Sequence, residues 1–367
     1  MAAVVKKIDP ESPDRRLLLE AAEVLAGGGL AAFPTETVYG IAAGMISSPA
    51  LERIFAVKGR STGNPLPLMV APGRLEQAAA DLSPAAARLA ARFWPGPLTL
   101  ILPPSPIVPT IVTAGRPGVG VRIPAHPVPL GILEICPFPL AVTSANRSGC
   151  PSPTLAAHVL DDLGEEIDLL LDGGPAAVGI ESTVVDLTVD PPLLRRPGPI
   201  TRGDLEAAAG MPVALPEGVP GEDKQKRYVP RARVTLFSGD PRGRRELLRA
   251  DVRRLAEAGE QVALLICSGQ APGETIAPAV RPDWDEVAGA SFISLGPAGD
   301  PAGLAASFFR VLRLCDECGF SALLVDLPEG LDPRTGADAN SLAAAVFDRM
   351  QAAAEGRVIR AEAERDR

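Results

Sequence analysis

Histidine is nearly absent from this chain. Only His126 and His158 occur among 367 residues, so imidazole acid–base chemistry and multi-histidine metal sites are poorly supplied. The five cysteines are an odd set without framework spacing, which argues against a disulfide scaffold and fits reduced thiols in a cytoplasm. Cys315 and Cys318 have the spacing of a zinc pair, but no second pair lies near them. They sit in an apolar helical pattern, FFRVLRLCDECGF, where structural thiols are the simpler reading. Aromatic residues make up 4%, and Trp94 and Trp284 read as packing residues. No run of 18 apolar residues occurs, which speaks against a membrane span, and MAAVVKKIDPESPDRR lacks the apolar core of a secretory signal. There is no G-x-x-x-x-G-K-[ST] loop and no G-x-G-x-x-G fingerprint. A nucleotide would therefore be gripped by side-chain cations and not by a glycine cradle. Neither half is a polycation: residues 1–210 carry −5 and the remainder −4 of a net −9, which weakens a nucleic-acid-coating role.

What is present is enough apolar residue, 46%, for a large core, and enough length for two domains. Ser12-Pro13-Asp14 reads as a helix start, with the stripe Leu17, Leu18, Ala21, Ala22, Val24 and Leu25 behind it and Gly27-Gly28-Gly29 as its stop. LAAFPT is a short buried strand. Ser48-Pro49 opens a second helix, with Leu51, Ile54, Phe55 and Val57 at helical spacing. Helices are expected near 74–80, 84–92 and 128–135, and strands at LPLMV, LTLIL, VGVRIP, LAVTSAN, DLLLDG and STVVDLT. Thr201 caps a last short helix ending at Gly210. This intermixing gives an α/β class with a twisted mixed sheet.

Residues 209–231 are rich in Pro and Gly with a charge cluster and read as a linker. Beyond it VTLFSG, VALLIC, SFISLG and ALLVDLP alternate with Ala/Leu/Arg helices, a smaller open Rossmann-like α/β sheet. The domains are thus expected at 10–208 and 232–355, with a frayed polar tail over 356–367.

The cations come first among candidate site residues. Lys58 and Arg60 end the second helix just before a Gly-Asn-Pro turn, and Arg122 and Arg196 also stand at element ends. Such cations are the usual answer to a polyphosphate. Thr143-Ser144-Ala145-Asn146 ends a buried strand, with Ser148 to Ser152 after it; strand ends form ligand crevices, and these short hydroxyls and amides suit phosphate or ribose. The same residues also suit ordinary turns. Pro34-Thr35-Glu36-Thr37 and Gly179-Ile180-Glu181-Ser182-Thr183 are further turns that could face a ligand or simply connect strands.

Seven strings in order, FPTETVYGIAA, KGRSTGNPL, FWPGPLTLIL, VGVRIPAHP, TSANRSGCPSPT, GIESTVVDLT and LLRRPGPI, resemble the YrdC-type threonylcarbamoyl-AMP synthases in their longer two-domain form. The resemblance covers residues 12 to about 204 strongly, and the rest more loosely through LPEG, Tyr228-Val229-Pro230 and AAAVFDRMQAAA. It implies a YrdC-like catalytic domain, a linker that acts as a lid and a C-terminal Rossmann-like domain. The implied reaction takes L-threonine, bicarbonate and ATP, with Mg²⁺ on the phosphates, to threonylcarbamoyl-AMP and pyrophosphate in the cytoplasm. A separate transferase complex would pass the product to an adenosine of tRNA, with weak tRNA contact and no membrane.

By the same resemblance Lys58 and Arg60 are catalytic. Arg60, Asn64, Gly118, Ser144, Asn146, Ser152, Arg196 and Tyr228 touch the nucleotide. Thr35, Met69, Arg122, Val142 and Ser182 surround the threonine, Arg122 facing its carboxylate; no protein metal site is implied. The chain departs from the family at Met69, often His, at Gly118, often Thr, and in the linker string KQKRYVP. A carbamoyl-adenylate-forming or carbamoyl-transferring relative, and a non-catalytic RNA-binding module, are the alternative readings.

Overall fold

The computed structural model describes residues 2–216, 227–275, 289–335 and 341–362. It divides into two compact units, Met1–Ser148 with Ser152–Gly218, and Gly149–Pro151 with Val219–Arg367. Residues 217–226 of the expected linker, and Trp284, lie outside the described residues.

The first unit carries ten strands: β1 (Val4–Lys7), β2 (Ala31–Phe33), β3 (Gly40–Gly44), β4 (Leu68–Met69), β5 (Leu98–Leu102), β6 (Val119–Arg122), β7 (Leu140–Ser144), β8 (Leu169–Asp172), β9 (Thr183–Asp186) and β10 (Leu193–Arg196). They form one mixed sheet in the order β1-β8-β2-β3-β7-β4-β6-β5-β9-β10. Its helices are α1 (Arg15–Ala26), α2 (Ser48–Lys58), α3 (Pro84–Phe93), α4 (Thr110–Thr113), α5 (Pro127–Ile135), α6 (Ala156–Leu163) and α7 (Arg202–Ala209). Alternation along the strands buries both faces. Ala32, Ile41 and Ala141 join a core that includes Leu51, Ile54, Leu89 and Val159. Ala31, Phe33, Ala42 and Val142 turn the other way, into a core with Leu18, Leu25, Val128 and Ile132. A strand buried on both faces reads as a near-continuous apolar run, as LAAF and LAV do.

The helix starts differ slightly from the sequence reading. Asp14, not Ser12, caps α1, because its carboxylate accepts the Arg16 amide at 2.8 Å while Asp9 takes the amides of Glu11 and Ser12. Ser47 caps α2, with Pro49 in the first turn. Thr201 caps α7 through a capping box with Asp204. The helix expected near 74–80 is a single 3-10 turn, Leu75–Gln77.

The second unit is a parallel sheet of β11 (Arg233–Gly239), β12 (Val262–Ile266), β13 (Ala290–Ser294), β14 (Ala322–Asp326) and β15 (Val358–Ala361), in the order β13-β12-β14-β11-β15. Helices α8 (Pro241–Glu257), α9 (Pro301–Glu317) and α10 (Leu342–Ala353) connect β11 to β12, β13 to β14 and β14 to β15. The expected frayed tail needs correction: Val358–Ala361 pairs in parallel with β11, from Leu236↔Val358 to Gly239↔Ala361. At the other end Val4–Lys7 pairs with β8, a strand the sequence reading passed over because it is exposed and half charged.

Candidate active site

Helix α2 delivers the first two cations. Its apolar face buries Leu51, Ile54 and Phe55, and Gly59 ends it in the left-handed region at φ 57°. Arg60 N then donates to Phe55 O at 2.9 Å and Gly59 N to Ala56 O at 3.1 Å, a closed helix end. An L residue at position 59 would be strained, although nothing crowds its Cβ. The reversal fixes where Lys58 and Arg60 point.

Lys58 is 3% exposed and its ammonium donates to the main-chain carbonyls of Ser144 and Asn146. It thereby braces the loop after β7, and Ser148 N returns a hydrogen bond to Lys58 O at 2.8 Å. A cation in the last helical turn is also favoured by the helix dipole. Arg60 donates to two carbonyls, Asn64 O at 3.4 Å and Pro65 O at 2.9 Å. Burial lowers the Arg60 pKa from its ordinary value, and the Arg196 guanidinium lowers it further. These two cations, 136 residues apart in sequence, are close enough to repel. Arg196 ends β10 and reaches Ser182, Nε to its carbonyl at 3.0 Å and Nη2 to its hydroxyl at 3.1 Å. The Ser182 hydroxyl also meets Thr99 Oγ1 at 2.8 Å. Ser152 is buried and donates to the Glu181 carboxylate, and Asn146 Nδ2 donates to Arg147 O at 2.8 Å.

A second cluster surrounds Arg122 at the end of β6. Its Nε donates to Gly96 O at 3.1 Å and its Nη1 to Thr37 Oγ1 at 3.1 Å. Its Nη2 lies 2.6 Å from Glu36 Oε1 as an ion pair. Thr35 is buried, with its hydroxyl donating to Val38 O at 2.7 Å and lying 2.9 Å from that of Thr37. Backbone bonds tie the neighbouring loops together: Val178 N to Glu36 O and Gly179 N to Thr37 O, both 2.9 Å. Met69 pairs in register with both Arg122 and Leu140, and it is buried in the same apolar cluster as Val142. Those two residues give the Arg122 cluster an apolar flank.

Gly118 precedes β6 in a tight spot. A Cβ there would meet Ile101 Cγ2 at 2.5 Å and Thr188 Cγ2 at 3.1 Å, so here the space is filled from β5 and the loop after β9. Tyr228 is in the second unit, 9% exposed, its ring 5.0 Å from that of Phe309 and the Arg349 guanidinium 5.9 Å above it. Its φ of 61° is a rare conformation for so bulky a residue. Cys315 is buried on α9 and Cys318 exposed just past it.

The structure thus joins Lys58 to Ser144 and Asn146, Arg196 to Ser182, and Arg122 to the Thr35–Thr37 loop, with Arg60 near enough to Arg196 to feel its charge. Two carboxylates were missed as site members. Glu36 and Glu181 stood inside quoted turns, but their partners Arg122 and Ser152 are distant in sequence. The one local signal was a carboxylate set among hydroxyl residues, Thr-Glu-Thr and Glu-Ser-Thr.

Comparison with known proteins bears on this arrangement. The Sua5–YciO–YrdC family, described as "Telomere recombination", matches residues 23–198. The family described as "Threonylcarbamoyl-AMP synthase, C-terminal domain" matches residues 200–355. A threonylcarbamoyl-AMP synthase of Pyrococcus abyssi is 36% identical over 93% of this chain and 94% of its own. One from Bacillus subtilis is 34% identical over 94% of each. The crystal structure of Pyrococcus abyssi Sua5 complexed with L-threonine superposes with a TM-score of 0.84, at 33% identity, over 98% of this chain and 100% of that one.

Proposed function

We propose the chemistry of this cleft from one premise: the chain belongs to the threonylcarbamoyl-AMP synthase family, in its two-domain Sua5 form. It is a nucleotidyltransferase that joins L-threonine, bicarbonate and ATP into threonylcarbamoyl-AMP and pyrophosphate. The observation that carries the site assignment is Arg60, whose guanidinium meets only the carbonyls of Asn64 and Pro65 and is pressed by Arg196, positive charge that a triphosphate relieves.

The amine of threonine captures carbon dioxide from bicarbonate, loses a proton and becomes a carbamate. A carbamate oxygen then attacks the α-phosphorus as the bond to the β-phosphate breaks, and pyrophosphate leaves. The nucleophile is already an anion, so the step itself needs alignment and charge neutralisation more than a side-chain base, which suits a chain with two histidines. Arg60 and Arg196 take the phosphate charge. Lys58 adds to it while holding the loop that presents Ser144 and Asn146 to the nucleotide. Asn64, Ser152 and the Gly118 backbone complete that side. Thr35, Arg122 and Ser182 hold the polar groups of threonine, and Met69 with Val142 receives its methyl. Mg²⁺ would arrive on the triphosphate, as it is commonly ligated by phosphate and water.

The carbamate decomposes in water, so the reaction needs solvent kept away from it. The product passes to a separate transferase that modifies tRNA in the cytoplasm. No helix among the described residues is long and apolar enough to cross a membrane. The test is pyrophosphate release that requires ATP, threonine and bicarbonate together, with the adenylate identified by mass. Release that requires carbamoyl phosphate instead of threonine would contradict this reading.

A further inference from the structure

The Arg122 cluster has a feature that the charge around Arg60 does not. Arg122 is 6% exposed, and its Nη2, although 2.6 Å from Glu36 Oε1, forms no aligned hydrogen bond. The other oxygen of the same carboxylate, Glu36 Oε2, is buried and also accepts no hydrogen bond, while Oε1 accepts from Ala125 N at 3.0 Å. The two side chains are held as an ion pair through Nη2 and Oε1, and each keeps a buried polar atom, Nη2 and Oε2, without an aligned hydrogen bond. Each such group is costly to leave unsatisfied, so the arrangement calls for a ligand that supplies an acceptor to one and a donor to the other.

The neighbours leave this demand intact. Nε and Nη1 of Arg122 are committed to Gly96 O and Thr37 Oγ1, which fixes the plane of the guanidinium. His126, which caps α5, faces Glu36, but its Nδ1 is already the acceptor for Val128 N at 3.2 Å. Burial lowers the His126 pKa against the pull of Glu36 and Glu11, so near neutral pH it stays uncharged and does not neutralise Glu36. The remaining charge is one anion and one cation. That is the mirror of an α-amino acid, whose ammonium and carboxylate sit on one carbon. A zwitterion also adds no net charge to the buried pair, which keeps the cost of desolvation low.

We propose that Glu36 recognises the α-amino group of the amino-acid substrate while Arg122 takes its carboxylate. This rests on the threonine reading of the Arg122 cluster and deepens it. Glu36 is then a substrate contact that selects α-amino acids over their hydroxy analogues and presents the nitrogen for carbamate formation. Thr35, Thr37 and Gly96 hold the frame.

Calorimetric titration with L-threonine and with 2,3-dihydroxybutyrate of the same configuration tests this, because the second ligand keeps the carboxylate and the methyl but carries hydroxyl in place of the amine. The wild-type protein should prefer threonine by tenfold or more, on the scale of one charge-assisted hydrogen bond at roughly 1.5–3 kcal/mol. Glu36→Gln should lose about ten- to a hundred-fold in threonine affinity by the same reasoning and leave the analogue unchanged. Glu36→Asp, with the charge on a shorter arm, should recover part of the preference. The proposal is overturned if the wild type binds both ligands equally. It is also overturned if Glu36→Gln weakens both alike, the result for a residue that only props Arg122. If Glu36→Gln does not fold, the wild-type ratio and Glu36→Asp decide the matter. A wild type that binds neither ligand, with ATP present, contradicts the threonine site itself, a separate outcome.

Discussion

In the second unit Arg244 lies 2.6 Å from Asp326, Arg360 3.0 Å from Asp332 and Arg349 2.9 Å from Asp348, so three of its sheltered cations are each matched by a carboxylate. In the first unit Arg60 meets only the carbonyl oxygens of Asn64 and Pro65, forms no ion pair among the described residues, and is pressed by Arg196. The second unit pairs these three cations internally, as the first does for Arg122 with Glu36. The first unit also holds Arg60 close to Arg196, with no carboxylate paired to Arg60 among the described residues. A matched pair holds a fold together, whereas a buried Arg60 without a carboxylate is better placed to receive an anion from outside the chain. The strand ends of the parallel second sheet look more like a nucleotide fold in sequence, yet the charge pattern supports the proposal of an anion site in the first unit.

The comparison breaks most readily at Arg244. Arg244→Ala strands the Asp326 carboxylate in the interior and should cost about 3–5 kcal/mol of stability, read as a lower unfolding midpoint. Burial already pushes the Asp326 pKa above its ordinary 3.8, with Arg244 opposing. A raised carboxyl binds its proton more readily folded than unfolded, so the deficit should shrink as pH falls and grow as it rises through the folded value. A variant as stable as the parent would show that the matched pairs of the second unit carry no weight.

The opposite outcome is expected next, at Lys58 and Arg60. Either alanine variant should lower threonine-dependent pyrophosphate release by roughly 10²-fold or more, as for a lost preorganised charge contact. For Arg60→Ala the thermal midpoint without nucleotide should hold or rise, because repulsion with Arg196 is removed. Near-parental turnover in both variants would erase the distinction between the units.

Smaller effects sharpen the account. Gly59→Ala puts a side chain at φ 57° with no crowding, so strain alone should cost about 1–2 kcal/mol, seen as a lower midpoint with a larger loss of turnover from the misaimed cations. The smallest effect concerns His126. Its depressed pKa, caused first by burial, means that its stabilisation is fully present above the ordinary value of 6.5 and fades as pH falls through the folded value. His126→Asn keeps a capping side chain and should flatten stability between pH 7 and 5. An unchanged pH profile would place the titration elsewhere.

What could be read from sequence follows the range of the interactions. The α2 helix and the two cations at its end are local, within thirteen residues, and the helix is found in place, with a stop at Gly59 that the sequence reading did not name. The buried strands LAAF and LAV were legible because both faces are covered. The Glu36–Arg122 and Ser152–Glu181 pairs were not, because each needs two strands or loops brought together by the sheet order. The use of the Lys58 ammonium on two carbonyls was hidden for the same reason. The edge strands β1 and β15 escaped notice because they are short and partly exposed, and their pairing partners, not their composition, make them strands.

The most direct measurement is ATP affinity by calorimetry for the parent, Arg60→Ala and Arg244→Ala at two salt concentrations. The account predicts a loss of at least about tenfold, with a weaker salt dependence, for Arg60→Ala, and parental affinity for Arg244→Ala while it remains folded. Equal affinities for parent and Arg60→Ala, or a loss confined to Arg244→Ala, would contradict it.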